Sequence, residues 1–253
     1  GNYKLTFEHG YGSVITPFNT FIDDCFDLQS MEEALSAKTG KKFLLLNFPN
    51  NPAGYTPTFE EAEAITEILR KRAEAGDKLV VLLDDAYFGL VYKEGVYKES
   101  LFAKLADLHE NLLAVKVDGA TKEDYVWGYR VGFITYGCKG ITDDVCTALA
   151  DKTAGTVRQT VSNASKLSQS LLLKAYNSPH YNKQKEEKAA LLQSRYVAVS
   201  KALSDNDYSK YFTPLPFNSG YFMCVELAEG LDAEEVRKTL LNEFSTGTVS
   251  MGK

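Results

Sequence analysis

Short, continuous apolar runs separated by a helical segment constrain the fold of this chain more than any other feature. Residues 43–47, 79–83 and 112–115 are almost entirely apolar, as in strands that are covered on both faces of a sheet. Between the first two runs, apolar residues at helical spacing predict a helix over residues 59–75, with Thr58 and Glu61 at capping-box spacing. This alternation indicates an α/β fold, with a mostly parallel sheet flanked by helices.

The fourth predicted strand, residues 131–136, differs from the first three. It follows the third after about 15 residues that show no clear helical pattern. A parallel return to the same sheet needs a crossover connection, usually a helix. We therefore expect the fourth strand to run antiparallel to its neighbour.

The pattern changes near residue 179. A long charged helix is predicted over residues 181–203, then a strand over 221–225 and a helix capped by Asp232. The inner face of the long helix is predicted to consist of Ala189, Leu192, Tyr196 and Val199. We expect residues 1–179 to form a large domain and residues 180–253 to begin a smaller α+β domain.

Composition narrows the classes of partner. The net charge of −6 offers no basic surplus for nucleic acid. No run approaches the roughly 18–20 apolar residues of a membrane span. The four cysteines are scattered, and the three histidines have no zinc-ligand spacing. We expect reduced thiols, no metal, no membrane and a cytoplasmic location.

Polar side chains with complementary chemistry follow the predicted strands. Asn51 and Asp84 stand just after two strand ends, Tyr87 lies three residues beyond Asp84, and Lys122 and Arg130 follow the third strand. Open α/β sheets bind ligands at the carboxyl ends of their strands. We therefore expect these five side chains to converge on one crevice.

In order and spacing, these residues resemble the class I/II aminotransferases, which are enzymes of fold type I that depend on pyridoxal 5′-phosphate (PLP). The matching motifs are Asn-Pro-x-Gly at 51–54, Asp-x-x-Tyr at 84–87, and Lys122 with Arg130 eight residues later. The resemblance covers roughly residues 1–230 and implies the large domain with part of the small domain. It also implies a homodimer.

The resemblance implies a role for each residue. Lys122 forms a Schiff base with PLP and shuttles a proton, Asp84 pairs with the pyridine nitrogen, and Tyr87 and Asn51 bind the ring oxygen. Arg130 clamps the phosphate. Other readings stay open: Asp85 competes with Asp84, and each of the other site residues also has a purely structural interpretation.

The sequence departs from the family pattern in three places. Gly119 stands where the family commonly has a phosphate-binding serine, and Thr121 is the alternative hydroxyl. The chain opens at Gly1-Asn2 without a methionine, and no match to the family's carboxylate-binding arginine precedes Lys253. We expect an interior piece of a longer enzyme.

The predicted activity is transamination between an amino acid and a 2-oxo acid. A β-lyase, decarboxylase or synthase of the same fold would use the same cofactor residues, because the cofactor supplies the electron sink. A PLP-sensing domain of a transcription regulator is a third possibility, although the chain shows no basic patch. Ser170 stands where aspartate-specific members carry a second arginine, which disfavours recognition of a dicarboxylate by that residue.

Overall fold

The computed structural model describes residues 3–251 of the 253-residue chain. The expectation drawn from Gly1-Asn2 concerns residues outside this range. A π-helical segment, Lys4–Gly10, leads to a small hairpin of strands β1 (Phe21–Ile22) and β2 (Cys25–Phe26). Helix α1 (Leu28–Ser36) follows, and the side chain of Asp27 caps it by accepting a hydrogen bond from the Ser30 N–H.

A four-stranded sheet forms the centre of the molecule. It contains β3 (Lys41–Asn47), β4 (Lys78–Asp84), β5 (Leu112–Gly119) and β6 (Gly132–Gly137), paired in that order. Strands β3, β4 and β5 are parallel, whereas β6 is antiparallel to β5. The predicted α/β class and the antiparallel direction of the fourth strand are confirmed.

Helix α2 (Phe59–Glu74) packs its apolar side on this sheet. It begins with the predicted capping box, in which Thr58 accepts from the Glu61 N–H and the Glu61 carboxylate accepts from the Thr58 N–H. Ile65 and Leu69 are fully buried, in one core cluster with the inward-facing residues of β3, β4 and β5. Burying two such side chains contributes roughly 3–6 kcal/mol.

Two short helices connect the strands. Helix α3 (Phe102–Leu105) precedes β5, and the single turn of α4 (Ala120–Glu123) lies between β5 and β6. The sequence pattern did not predict α4, because one turn is too short to show a helical period. Lys122 lies on this turn rather than in an irregular loop.

The second half of the chain contains mostly exposed elements. These are α5 (Asp143–Thr160), α6 (Lys166–Tyr176), α7 (Tyr181–Ser204), β7 (Phe212–Pro214), β8 (Val225–Leu227) and α8 (Ala233–Phe244). Strands β7 and β8 form an antiparallel pair, and Asp232 caps α8 as predicted. Of the inner face predicted for α7, Val199 is 40% exposed and the other three residues are only half-buried.

The predicted strand over residues 221–225 is wrong for all but its last residue. Residues 218–222, which we name the docking segment, bind instead to the loop after β3. The N–H groups of Asn218 and Ser219 both donate to the Gly54 carbonyl at 2.8 Å, and the Gly220 N–H donates to Leu90 at 2.7 Å. The chain bends at residues 218, 220 and 221, and Gly220 has a φ of 74°, so the backbone is not extended where the strand was predicted to begin.

Buried side chains strengthen this attachment. The Asn218 side chain accepts from the Thr56 N–H at 2.9 Å and donates to the Thr56 carbonyl at 2.8 Å. Gly54 has a φ of 77°, and a Cβ there would overlap the Phe222 carbonyl oxygen and lie 2.7 Å from that of Ser219. Only glycine suits both the backbone conformation and the close approach.

No helix within residues 3–251 is long and apolar enough to cross a membrane. The same residues contain no group of three or more histidine, cysteine, aspartate or glutamate side chains placed to hold a metal ion. Cys25, Cys138, Cys146 and Cys224 all lie in the described range and are free thiols there.

Candidate active site

Hydrogen bonds link the ends of β3 and β4 and hold Asn51 against Tyr87. The Asn47 side chain donates to the Asp84 carbonyl at 2.8 Å and accepts from the Asn51 N–H at 2.8 Å. Asn51 Nδ2 then donates to the hydroxyl of Tyr87 at 3.2 Å. The side chains at two neighbouring strand ends thus meet, as the parallel topology predicts.

Lys122 reaches the same place from the end of β5. Its Nζ lies 5.0 Å from the centroid of the Tyr87 ring, where a cation is attracted by the π face. The adjoining Asp124 accepts a 2.7 Å hydrogen bond from the Tyr176 hydroxyl and lies 3.4 Å from Lys185 Nζ. These contacts tie the turn that carries Lys122 to helices α6 and α7.

Asp84 is held by a residue that the sequence analysis did not select. Its Oδ2 accepts a 2.5 Å hydrogen bond from the hydroxyl of Tyr3, and its Oδ1 accepts from the Ala86 N–H at 3.1 Å. No motif or spacing pointed to Tyr3, because it lies 81 residues before its partner. Burial and the neighbouring carboxylate both raise the pKa of Tyr3, so its hydroxyl stays a donor.

Tyr87 is a neutral phenol in this environment. Burial raises its pKa to about 12, and the nearby Tyr221 and the negative charge of Asp84 act in the same direction. The hydrogen bond from Asn51 opposes this rise because it favours the phenolate. At neutral pH the Tyr87 hydroxyl therefore retains its proton and can donate a hydrogen bond to a ligand oxygen.

Asp85 faces a different environment from Asp84. It is 5% exposed, and one of its oxygens lies 3.9 Å from Lys116 Nζ. Burial raises its pKa to about 6, although Ser100 and Lys116 act to lower it. Asp84, by contrast, shares its surroundings with Tyr3 and Tyr87. The geometry therefore favours Asp84 as the residue that faces the crevice.

Arg130 is not joined to this group. It is exposed, has a φ of 53°, and makes no hydrogen bond or ion pair with any residue that the structure describes. Its guanidinium is therefore free to bind an anion. A structural interpretation of Arg130, stacked on the neighbouring aromatic rings, has no support in the described part of the chain, where no ring lies under its guanidinium.

The close approach of β6 explains why position 119 is a glycine. Gly119 pairs with Gly132 across β5 and β6, and a Cβ on it would lie 2.6 Å from the Val131 carbonyl oxygen and 3.0 Å from Gly132 Cα. A serine has no room there. Thr121, half-buried on α4, is the nearby residue that retains a hydroxyl.

Two aromatic residues of the docking segment complete the wall of the site. The ring centroids of Tyr221 and Phe222 lie 5.5 and 4.8 Å from that of Tyr87, in edge-to-face geometry. The sequence pattern predicts a strand at both residues and indicates no role for either. A contact between residues more than 130 positions apart leaves no local signal in the sequence.

The structure therefore brings together Asn51, Asp84, Tyr87 and Lys122, with Tyr3 behind the carboxylate. An amine, a carboxylate, a phenol and an amide at one sheet edge match the functional groups of PLP, which carries an aldehyde, a basic ring nitrogen and a phenolic oxygen. The residues present fit this cofactor, with Gly119 as the exception at the phosphate.

The chain belongs to the class I and II aminotransferase family, whose model matches residues 6–249. Enzymes of this family depend on PLP. This chain is 30% identical over 164 residues to a probable aspartate/prephenate aminotransferase of Rickettsia conorii. The match covers 64% of this chain and 36% of that protein. An aspartate aminotransferase of Bacillus sp. strain YM-2 is 22% identical over 224 residues, covering 88% and 50%.

Solved structures show the same fold. An aminotransferase of Anaerococcus prevotii matches 93% of this chain and 57% of its own, with a TM-score of 0.77 and 22% identity. An aromatic-amino-acid aminotransferase of Burkholderia pseudomallei, covalently bound to pyridoxal phosphate, matches 98% and 60%, with a TM-score of 0.71 and 18% identity. The chain thus spans about half or less of the length of these curated relatives.

Proposed function

We propose that this chain forms the cofactor-binding part of a PLP-dependent aminotransferase, which exchanges an amino group between an amino acid and a 2-oxo acid. The observation that carries the proposal is the position of Lys122 Nζ against the ring of Tyr87, whose hydroxyl is bound by Asn51. Membership of the aminotransferase family supports it.

Bound PLP would supply an electron sink for the negative charge that develops at the substrate α-carbon. Asp84, oriented by Tyr3, would hold the proton on the ring nitrogen by ion pairing. Tyr87 and Asn51 would donate hydrogen bonds to the ring oxygen. Each of these groups acts where charge is redistributed during the reaction.

Lys122 would attach the cofactor and then move a proton. Its amine is a nucleophile towards an aldehyde and would hold the cofactor there, and its Nζ would move the α-proton of the substrate. The ring face of Tyr87 and the contacts of Asp124 limit where the lysine can lie. Arg130 and Thr121 would bind the phosphate, because Gly119 has no side-chain hydroxyl and a serine has no room there.

The arrangement of the whole protein follows the family. We propose a homodimer, a location in the cytoplasm, and a division into a large domain over residues 1–179 and the beginning of a small domain over 180–253. Amino acids and 2-oxo acids would be the substrates. The names of the relatives, which include aspartate and prephenate, support substrates that carry carboxylates.

A single-turnover assay tests the activity. The PLP-loaded protein is mixed with a panel of amino acids, and the 2-oxo acid and ammonia are both measured. Transamination releases the donor's 2-oxo acid without ammonia, and a second 2-oxo acid is then converted to its amino acid. Lys122→Arg should lose this reaction, whereas Lys139→Arg, a matched change at an exposed lysine, should retain it.

Other products would contradict the proposal. Pyruvate with ammonia from serine or cysteine would indicate a β-lyase, and carbon dioxide would indicate a decarboxylase. A reaction that Lys122→Arg leaves unchanged would remove Lys122 from the chemistry.

A further inference from the structure

A cavity of about 660 Å³ lies between the segment after α4, one face of α7 and the docking segment. This volume is in the range that holds small organic ligands. The cavity adjoins the candidate site, because its wall includes Tyr221 and Phe222, which both pack on Tyr87. Tyr125, three residues after Lys122, also lines it.

The walls of the cavity are mainly apolar. Helix α7 contributes residues at the spacing of a single helical face, and Leu192 and Tyr196 are among them. Trp127 and Phe217 contribute aromatic surface from two other segments. Such walls favour a ligand with an aromatic or large aliphatic body, because its burial removes apolar area from water.

Two cations face the same space. Lys188 and Arg195 lie seven residues apart on α7, and both line the cavity. Neither forms a hydrogen bond or ion pair with another residue in the described part of the chain, and no aspartate or glutamate is among the lining residues. An unpaired guanidinium beside apolar walls favours a carboxylate, which it can bind through two parallel hydrogen bonds.

We propose that this cavity selects the substrate: it receives an amino acid, or its 2-oxo acid, with an aromatic or large aliphatic side chain, and Arg195 binds a carboxylate of that substrate. The proposal rests on the proposed function, because the same substrate must reach Lys122. Trp127 and Leu192 are the specificity-determining residues on the two apolar sides. Neither belongs to the set of residues that would hold PLP.

The cavity can be tested without the cofactor, because Trp127 is the sole tryptophan of the chain and reports on its own surroundings. Its fluorescence is followed while 3-phenylpropionate, propionate or 3-phenyl-1-propanol is added. We expect a saturable change with 3-phenylpropionate, at a Kd at least tenfold below that of either control. Propionate lacks the ring, and the alcohol lacks the charge.

Variants separate the contribution of the positive charge from that of the apolar wall. Arg195→Gln should weaken 3-phenylpropionate about tenfold and leave the alcohol unchanged, whereas Leu192→Ala should weaken both. Lys183→Gln, at an exposed position on α7 outside the cavity, should change neither. The inference is overturned by the absence of a saturable change, or by equal binding of propionate and 3-phenylpropionate.

The assay with PLP distinguishes the two possible failures. If PLP is fixed at Lys122 and turnover favours phenylalanine over aspartate, both proposals stand, and Arg195→Gln should lower kcat/KM for phenylalanine at least tenfold. A preference for aspartate that Arg195→Gln does not alter would overturn the cavity assignment alone. Failure of PLP to attach would overturn the proposed function, while the fluorescence titration would still decide the cavity.

Discussion

The hydroxyl of Tyr3 donates a 2.5 Å hydrogen bond to Oδ2 of Asp84. This contact joins the beginning of the described chain to the carboxyl end of β4, across 81 positions of sequence. A charge-assisted hydrogen bond of this length holds a carboxylate in one orientation. We therefore expect Tyr3 to position the carboxylate that we propose for the ring nitrogen of PLP.

Tyr3→Phe should weaken the binding of PLP at least tenfold, because a hydrogen bond to a charged group contributes roughly 1.5–3 kcal/mol. The Kd is measured by following the absorbance of the protein during titration with PLP. Tyr11→Phe, a change at a tyrosine that is 72% exposed, is the matched control and should have no effect. Equal affinities for Tyr3→Phe and the unchanged protein would show that Tyr3 does not orient Asp84.

Gly119→Ser should destabilise the protein although it restores the residue common in the family. The new Cβ would meet the Val131 carbonyl oxygen at 2.6 Å, and overpacking of this kind costs roughly 1–3 kcal/mol. Urea unfolding measures the free energy of unfolding. Thr121→Ala is the companion variant: it should leave stability nearly unchanged and weaken PLP binding.

A Gly119→Ser protein that is as stable as the original and binds PLP more tightly would contradict this explanation. It would show that β5 and β6 can separate to admit the hydroxyl. The departure from the family pattern would then have no steric cause.

Much of the fold was predictable because its signals are local. The three parallel strands are short apolar runs, and the capping box at Thr58 is a motif of four residues. Asp232 at the start of α8 is another local signal of this kind. The direction of β6 followed from the length of its connection.

The features that were not predicted depend on contacts between distant segments. Residues 221–225 are mostly apolar, as in a strand, but the N–H groups of Asn218 and Ser219 bind the distant Gly54 carbonyl and the chain bends at residues 218, 220 and 221. No feature of the sequence around Tyr3 indicates its contact with Asp84. The roles of Asn51, Asp84, Tyr87, Lys122 and Arg130, and the domain boundary at residue 180, stay predictions.

Asp85 should make the stability of the protein depend on pH. Its pKa rises from 3.8 to about 6 on folding, so the folded state binds this proton more tightly than the unfolded state. Stability from this group is therefore fully present below about pH 4 and is lost as the pH rises through about 6. Asp85→Asn removes this titration. The change that it causes in the free energy of unfolding should therefore be more favourable at pH 7 than at pH 4, by roughly 1–3 kcal/mol.

The comparison is made by urea unfolding of both proteins at the two pH values. Asp107→Asn provides a control at another aspartate, one that makes no hydrogen bond or ion pair with Asp85 or Lys116 within residues 3–251. A difference between Asp85→Asn and the original protein that stays constant with pH would show that Asp85 is already ionised in the folded state.

Lys122 is the residue that we propose to fix PLP. The most direct measurement is incubation with PLP, reduction with borohydride, and peptide mapping by mass spectrometry in the original protein, Lys122→Arg and Lys139→Arg. We expect a phosphopyridoxyl group on Lys122 in the original protein and in Lys139→Arg, and no preferentially labelled lysine in Lys122→Arg. Label spread over exposed lysines, unchanged in amount by Lys122→Arg, would contradict it.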